Sequence, residues 1–193
     1  MLAYDVQDDY EIIEGVKFMA PSPFMGHSSI TTNLTATIGV YVKIKRLGIC
    51  FGDHMDVHFP DGNTFQPDFT FISAANEKLY LEKRNMTFHG VPDMVVEIFS
   101  KSTMQRDVGI KKDVYERNGV KEYWIIDPWR EAVDVYLLRD GKYELGGHYE
   151  NFSDDELLRL TDEERAEVQM EVPVAVLDGF KVKIRNIFGW YFE

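Results

Sequence analysis

The chain holds a single cysteine, Cys50, among its 193 residues. No intrachain disulfide can form, which suits a reducing compartment and leads us to expect a cytoplasmic protein. Proline and glycine are not in excess, at 7 and 14 residues, which excludes collagen-like and low-complexity chains. Bases are in short supply: 21 Lys and Arg stand against 33 Asp and Glu, a net charge of −12. A protein that grips nucleic acid over its whole surface would be basic, so that class is disfavoured by the total. Residues 18–42 contain no Asp, Glu, Lys or Arg, but they do contain Pro21, Pro23, His27, Asn33 and seven Ser or Thr. A membrane helix needs about 20 predominantly apolar residues, so this stretch is rejected as a transmembrane span. The acidic opening, MLAYDVQDDYEIIEG, has no apolar h-region, and no signal peptide is expected. HExxH, CxxC, GxSxG and P-loop patterns are all missing.

What is present supports an ordinary core. Three Trp, ten Tyr and thirteen Phe exclude global disorder. The length fits one domain over 1–193. Charge is uneven along it. Residues 150–171 hold nine acids and two bases, and read as an acidic appendage. Residues 101–121 hold six bases and three acids, so a local nucleic-acid contact stays open.

Patterning gives the elements. Residues 10–18 read as a hairpin turning at Glu14-Gly15. From 28 to 47, apolar residues at Ile30, Leu34, Ile38, Tyr41, Val42 and Ile44 predict a helix, with Gly48 at its stop. Residues 49–59 and 64–73 read as strands joined by the turn PDGN, and 74–90 as a loop. MVVEIF (94–99) and EYWII (122–126) are runs of the kind found in buried strands. Between them, 105–118 is helical and ends before Gly119. Residues 133–138 and 143–149 are strands turning at RDGK. Residues 153–167 read as one exposed helix capped by Ser153 and Glu156. Residues 174–184 form a last hairpin turning at Asp178-Gly179. Helices interleaved with strands predict an α/β fold with a mixed sheet flanked by helices.

Two strands place an acid inside an apolar run: Asp68 in QPDFTFI and Glu97 in VPDMVVEIF. A carboxylate in a buried strand is costly unless it is paired, protonated or bound to a metal. If the two strands are neighbours, the carboxylates can converge on one cation, and oxygen ligands with open water positions suit Mg²⁺ or Mn²⁺. The competing account is two strand-end acids in ordinary hydrogen bonds. On the following helix, Asp107, Lys111 and Tyr115 stand at i, i+4 and i+8 and share one face. A lysine there can stabilise developing phosphorane charge, or simply pair with Asp107. Asp93 opens its strand and reads as structural, and Asp127 as a turn acid before Pro128. His54, Asp56 and His58 also share a strand face. The two histidines would stand roughly 13 Å apart, too far for one ion, so a polar outer face accounts for them better.

The opening YEIIEGVKFMAPSP, then QPDFTFI, GVPDMVVEIFSKST, RDVGIKKDVYERNGVKEYWIIDP and VDVY, resemble the Uma-two family of endonucleases over roughly residues 10 to 150. That family belongs to the PD-(D/E)XK, or restriction-endonuclease-like, superfamily. The resemblance implies a core of helix, three strands, helix and strand, flanked here by an N-terminal hairpin and a C-terminal β and acidic helical extension. It makes Asp68 and Glu97 the metal-holding acids, with the Ile98 carbonyl as backbone ligand. The superfamily lysine would fall at Phe99. Its role passes to Lys111 on the helix, with Lys112 as the neighbour. Many superfamily members carry a Glu on the first helix. Residues 28–47 contain no acid, which leaves His27 or Glu14 to approach from that side. Ser100 and Ser102 resemble family positions and can hydrogen-bond near the metal or cap the next helix. The implied activity is Mg²⁺-dependent hydrolysis of DNA by Asp68, Glu97 and Lys111, in a core that typically forms a homodimer. The rival is a non-catalytic member of the fold serving as a binding or regulatory module.

Overall fold

The computed structural model describes residues 10–19, 22–52, 55–76, 87–100 and 107–190, with the side chains of Asp107 and Val108 outside that description. His54 and Ser102 also fall outside it. Strands β1 (Tyr10–Ile13) and β2 (Val16–Met19) form the expected hairpin. Glu14 and Gly15 both have positive φ, 50° and 80°. This is the conformation a two-residue turn of matching twist requires.

The first helix starts at Met25, three residues earlier than the periodicity predicts. It runs as α1 (Met25–Leu34), a π-helical turn (Thr35–Gly39) and α2 (Val40–Lys45). Its many threonines are accommodated by hydroxyls that donate back to carbonyls one turn earlier, as Thr32 does to Ser28 (2.8 Å) and Thr37 to Asn33 (2.7 Å). Arg46, at φ 56°, ends the helix, not Gly48. Gly48 is needed for another reason. At φ 152° it lets β3 approach β6 so closely that a Cβ would meet the Ile72 carbonyl oxygen at 2.1 Å.

The two strands predicted over 49–59 and 64–73 are four. β3 (Gly48–Gly52) and β6 (Phe69–Ser73) lie in one sheet; β4 (Val57–His58) and β5 (Thr64–Phe65) lie in another. Pro67 offers no N–H to a ladder, so the chain leaves β5 there and enters β6 through Asp68. The predicted loop over 74–90 contains a short strand, β7 (Phe88–His89), paired parallel to β4. Strands β8 (Met94–Ile98), β9 (Glu122–Asp127), β10 (Ala132–Arg139) and β11 (Lys142–Glu150) complete a six-stranded mixed sheet in the order β11-β10-β9-β8-β6-β3. The other sheet runs β2-β1-β5-β4-β7. A π-helical turn (Asp107–Lys111) leads into α3 (Lys112–Asn118), which Gly119 closes at φ 88°.

The acidic segment is two helices, not one. α4 (Asp154–Arg159) is capped by Ser153 and Glu156, and α5 (Asp162–Glu167) by a second capping box, Thr161 and Glu164. The last hairpin, β12 (Glu171–Pro173) and β13 (Lys181–Lys183), has a longer loop than expected. It is followed by an unpredicted helix, α6 (Ile184–Phe188).

The six-stranded sheet separates two cores. Met94, Val96 and Ile98 point to one face, where Ile30, Leu34, Ile38 and Val42 of the first helix and Val172, Val182 and Ile187 of the C-terminal segment cover them. Val95 and Phe99 point to the other, where Val114 and Tyr115 of α3 and Ile13, Val57 and Phe65 of the smaller sheet pack. β8 is therefore buried on both sides, which is why its sequence is continuous and not alternating.

Asp93 is structural. Its carboxylate accepts from the Ser73 N–H (2.7 Å), Asn76 Nδ2 (3.0 Å) and Lys121 Nζ (2.6 Å), tying the end of β6 to the start of β9. Burial works to raise its pKa, but Lys121, Ser73 and Asn76 outweigh that and hold it below the usual carboxylate range. The folded value lies below the unfolded one. The stability Asp93 contributes is therefore complete at neutral pH and is lost as pH falls below about 4. Asp93→Asn should cost about 1–3 kcal/mol at neutral pH. Melting curves should show the gap from wild type narrowing towards pH ~3. A gap of constant width would mean that shape and not charge holds this corner.

Candidate active site

Asp68 immediately precedes β6 and Glu97 stands near the end of β8. The two strands pair antiparallel with Phe69 opposite Val96 at the last ladder position, so Asp68 follows just beyond the ladder, near Glu97 and Ile98. Asp68 Oδ2 accepts the Ile98 N–H at 2.6 Å, and Asp68 Oδ1 lies 2.9 Å from His27 Nε2. His27 arrives from the first turn of α1, which the sheet's end brings over Asp68.

Glu97 is held from the opposite side by α3 and the turn before it. Lys111 Nζ lies 3.1 Å from each Glu97 oxygen, and the Tyr115 hydroxyl donates to Glu97 Oε1 at 2.5 Å. Burial foremost, and then the charge of Glu97, raises the Tyr115 phenol well above its ordinary pKa, so it stays a donor. Lys112 turns away, as one helical step of about 100° requires, and its ammonium lies 3.6 Å over the Tyr136 ring.

A further acid is present that sequence reasoning did not single out. Glu11 Oε1 lies 2.6 Å from Lys111 Nζ and accepts the Gln66 N–H at 3.2 Å. It is Glu11 of β1, and not Glu14, that enters from the N-terminal side. Glu14 instead lies at the surface, 3.5 Å from Arg117. The signal was there in the hairpin's alternation. Glu11 and Ile13 share the inward face of β1, at 5% and 2% exposure, while Tyr10 and Ile12 are less buried.

Other expectations resolve plainly. Asp127 accepts the N–H groups of Trp129 (2.9 Å) and Arg130 (3.1 Å), as a turn acid does. Asp56 accepts from Gln66 Nε2 (2.8 Å), and His58 stacks on His89 with ring centroids 4.3 Å apart. These groups make no joint ligand set among the described residues. Burial pushes the Cys50 thiol up to about 12, which excludes it as a thiolate nucleophile near neutral pH.

The site therefore has two linked parts: Asp68 with His27 and the Ile98 N–H, and, starting from the adjacent Glu97, a buried cluster in which Lys111 pairs with Glu97 and Glu11. Among the described residues no three His, Cys, Asp or Glu side chains are spaced to hold an ion by themselves. The donor set fits a hard cation that takes only two carboxylates and keeps its waters, as Mg²⁺ does. The backbone contributes too. The Ile98 N–H faces Asp68, so its carbonyl lies on the same edge of β8, where Pro67 has no N–H to give it. The excess of carboxylate over cation is also what a bound divalent ion would balance.

Comparison with known proteins identifies the fold and the family. A solved structure described as "a putative nuclease belonging to DUF820 from Anabaena variabilis ATCC 29413" superposes with a TM-score of 0.72. It is 22% identical, and the match covers 94% of this chain and 90% of that one. That likeness shows the fold, which is restriction-endonuclease-like: the helix, three strands, helix and strand of its core are α1–α2, β3, β6, β8, α3 and β9. No curated protein matches the chain. The Uma-two family model, "Uma2: Putative restriction endonuclease", matches residues 4–173. The chain belongs to the Uma-two family of restriction-endonuclease-like proteins.

Proposed function

We propose that this chain is a divalent-metal-dependent endonuclease that hydrolyses DNA phosphodiester bonds. The observation that carries the reading is that Asp68 takes the Ile98 N–H at the end of β8, directly beside Glu97, whose carboxylate is paired with Lys111. Asp68, Glu97 and the Ile98 carbonyl would hold Mg²⁺ or Mn²⁺. Such an ion, when bound, supplies Lewis acidity and a readily ionised water.

The chain's own groups do the rest. Lys111, clamped by Glu11 and Glu97, presents a fixed positive charge where negative charge develops on the phosphoryl oxygens. Its position cannot drift, because two carboxylates and the packed Phe65 ring, 5.6 Å from Nζ, surround it. Tyr115 fixes the Glu97 carboxylate by its hydrogen bond and stays protonated. His27 orients Asp68 through Oδ1 and leaves the Ile98 N–H to orient Oδ2.

Titration calorimetry with Mn²⁺ tests the reading without requiring turnover. Wild type should bind. Glu97→Gln, which keeps the shape and removes the charge, should weaken binding by at least about tenfold. Equal heats for the two proteins would remove the metal, and with it the hydrolytic reading. The non-catalytic module would then be the better account of Glu97, as a carboxylate whose charge Lys111 balances within the fold.

A further inference from the structure

Two large rings stand half in water beside this site, and the hydrolytic chemistry does not use them. Phe24 and Trp129 are 38% and 48% exposed. They stack on each other with centroids 5.5 Å apart and planes 22° from parallel. Phe24 immediately precedes α1 and meets the His27 ring edge-on at 6.0 Å. His27 is in turn bonded to Asp68. The stack thus begins one side chain away from Asp68. Its far end is fixed as well, because the Asp127 carboxylate holds the N–H groups of Trp129 and Arg130 after Pro128. Exposed aromatic faces held in place at the rim of a reactive site are suited to stacking a planar ligand.

Charge says how a nucleic acid could use them. The chain carries −12 overall, so a long track of phosphate contacts is unfavourable. The hollow beside Trp129 is lined by Glu131 and Glu156 as well as Arg130 and Arg185. Arg185 already serves Asp154 and the Phe152 carbonyl. A phosphate chain gains little there, whereas a base stacking on Trp129 needs no cation. A base inside a duplex has both faces occupied and can reach the ring only by leaving the stack.

We propose that the Phe24–Trp129 stack is a base-binding platform, and that the substrate is single-stranded DNA that lays one unstacked base on Trp129, at the end of the chain of rings that starts from His27 and Asp68. The ligand class rests on the nuclease reading above. The platform extends the ring stack by one base and so favours unpaired over paired DNA.

Binding is measured by fluorescence anisotropy of a labelled short single strand and of its duplex, with the full chain in EDTA so that no cleavage occurs. The single strand should bind more tightly, and because few phosphates are contacted the dependence on salt should be shallow. Trp129→Ala and Phe24→Ala should each weaken it roughly 5- to 100-fold while the duplex changes little. Trp129→Phe should recover most of the loss, and circular dichroism should show every variant folded. Equal single-strand binding by wild type and Trp129→Ala, or tighter binding of the duplex, overturns the platform. Cleavage of the same strand with Mn²⁺ separates the two readings. Cleavage by both wild type and Trp129→Ala with the same KM sinks the platform and leaves the nuclease standing. Trp129-dependent binding without any cleavage does the reverse. Absence of both binding and cleavage in wild type removes both.

Discussion

Lys111→Ala should abolish metal-dependent nicking of plasmid DNA, and Lys112→Ala should leave it within a few-fold. The two lysines are neighbours in sequence and opposites in surroundings. Lys111 Nζ contacts Glu11 and Glu97 and is almost fully buried; Lys112 Nζ sits over the Tyr136 ring. Removing one fixed donor aimed at developing charge typically costs on the order of 10²–10³ in rate. The alanine variant also leaves Glu11 and Glu97 facing each other without their shared cation. One of them must then take up a proton, and about 3–5 kcal/mol of stability is at stake. That is a large part of the 5–15 kcal/mol typical of a domain, so folding must be checked by circular dichroism beside the nicking assay. Lys111→Arg keeps the charge and relieves that repulsion. Its planar fork cannot place one ammonium between the two carboxylates, so it should fold and still lose most nicking. Wild-type nicking by a folded Lys111→Ala protein would show that the cation is structural.

The core of this arrangement is legible in the sequence because it depends on local pattern. MVVEIF declares a strand buried on both faces, and the acid within it declares a cost that must be met. The spacing of Lys111 and Tyr115 sets both on one helical face, and the structure turns that face towards Glu97. What was not legible depends on the path between elements. Period-2 alternation continues through Gln66-Pro67-Asp68, so one strand is predicted where the chain passes from one sheet to another. Pro67 was the available sign. Strand β7 and helix α6 are too short to show a period of their own. The split of the acidic helix was readable, since Thr161 and Glu164 repeat the spacing of Ser153 and Glu156. The stacking of Phe24 on Trp129 joins distant parts of the chain, and no spacing rule announces it.

Glu11 is the residue whose role most needs the three-dimensional arrangement, and Glu11→Gln should lower kcat for nicking on the order of 10²-fold with little change in KM. The substitution preserves shape. A glutamine oxygen can still accept from the Gln66 N–H and from Lys111, so what is lost is charge. With Glu11 charged, the Lys111 ammonium is drawn between two carboxylates, 2.6 Å from one and 3.1 Å from the other. With Glu11 neutral, the ammonium moves fully onto Glu97, the carboxylate that would also hold the ion. A displacement of about 1 Å is enough to take a charge off its target in a preorganised site. The same shift makes Lys111 a stronger competitor for Glu97, so Mn²⁺ affinity measured by calorimetry should fall together with kcat. A purely structural acid would behave otherwise: Glu11→Gln would lower the melting temperature and leave both kcat and Mn²⁺ affinity unchanged in the folded fraction. Combining the variant with Lys111→Ala separates these outcomes. If Glu11 acts through Lys111, Glu11→Gln should change Mn²⁺ affinity no further once Lys111 is alanine, whereas independent roles would add their effects.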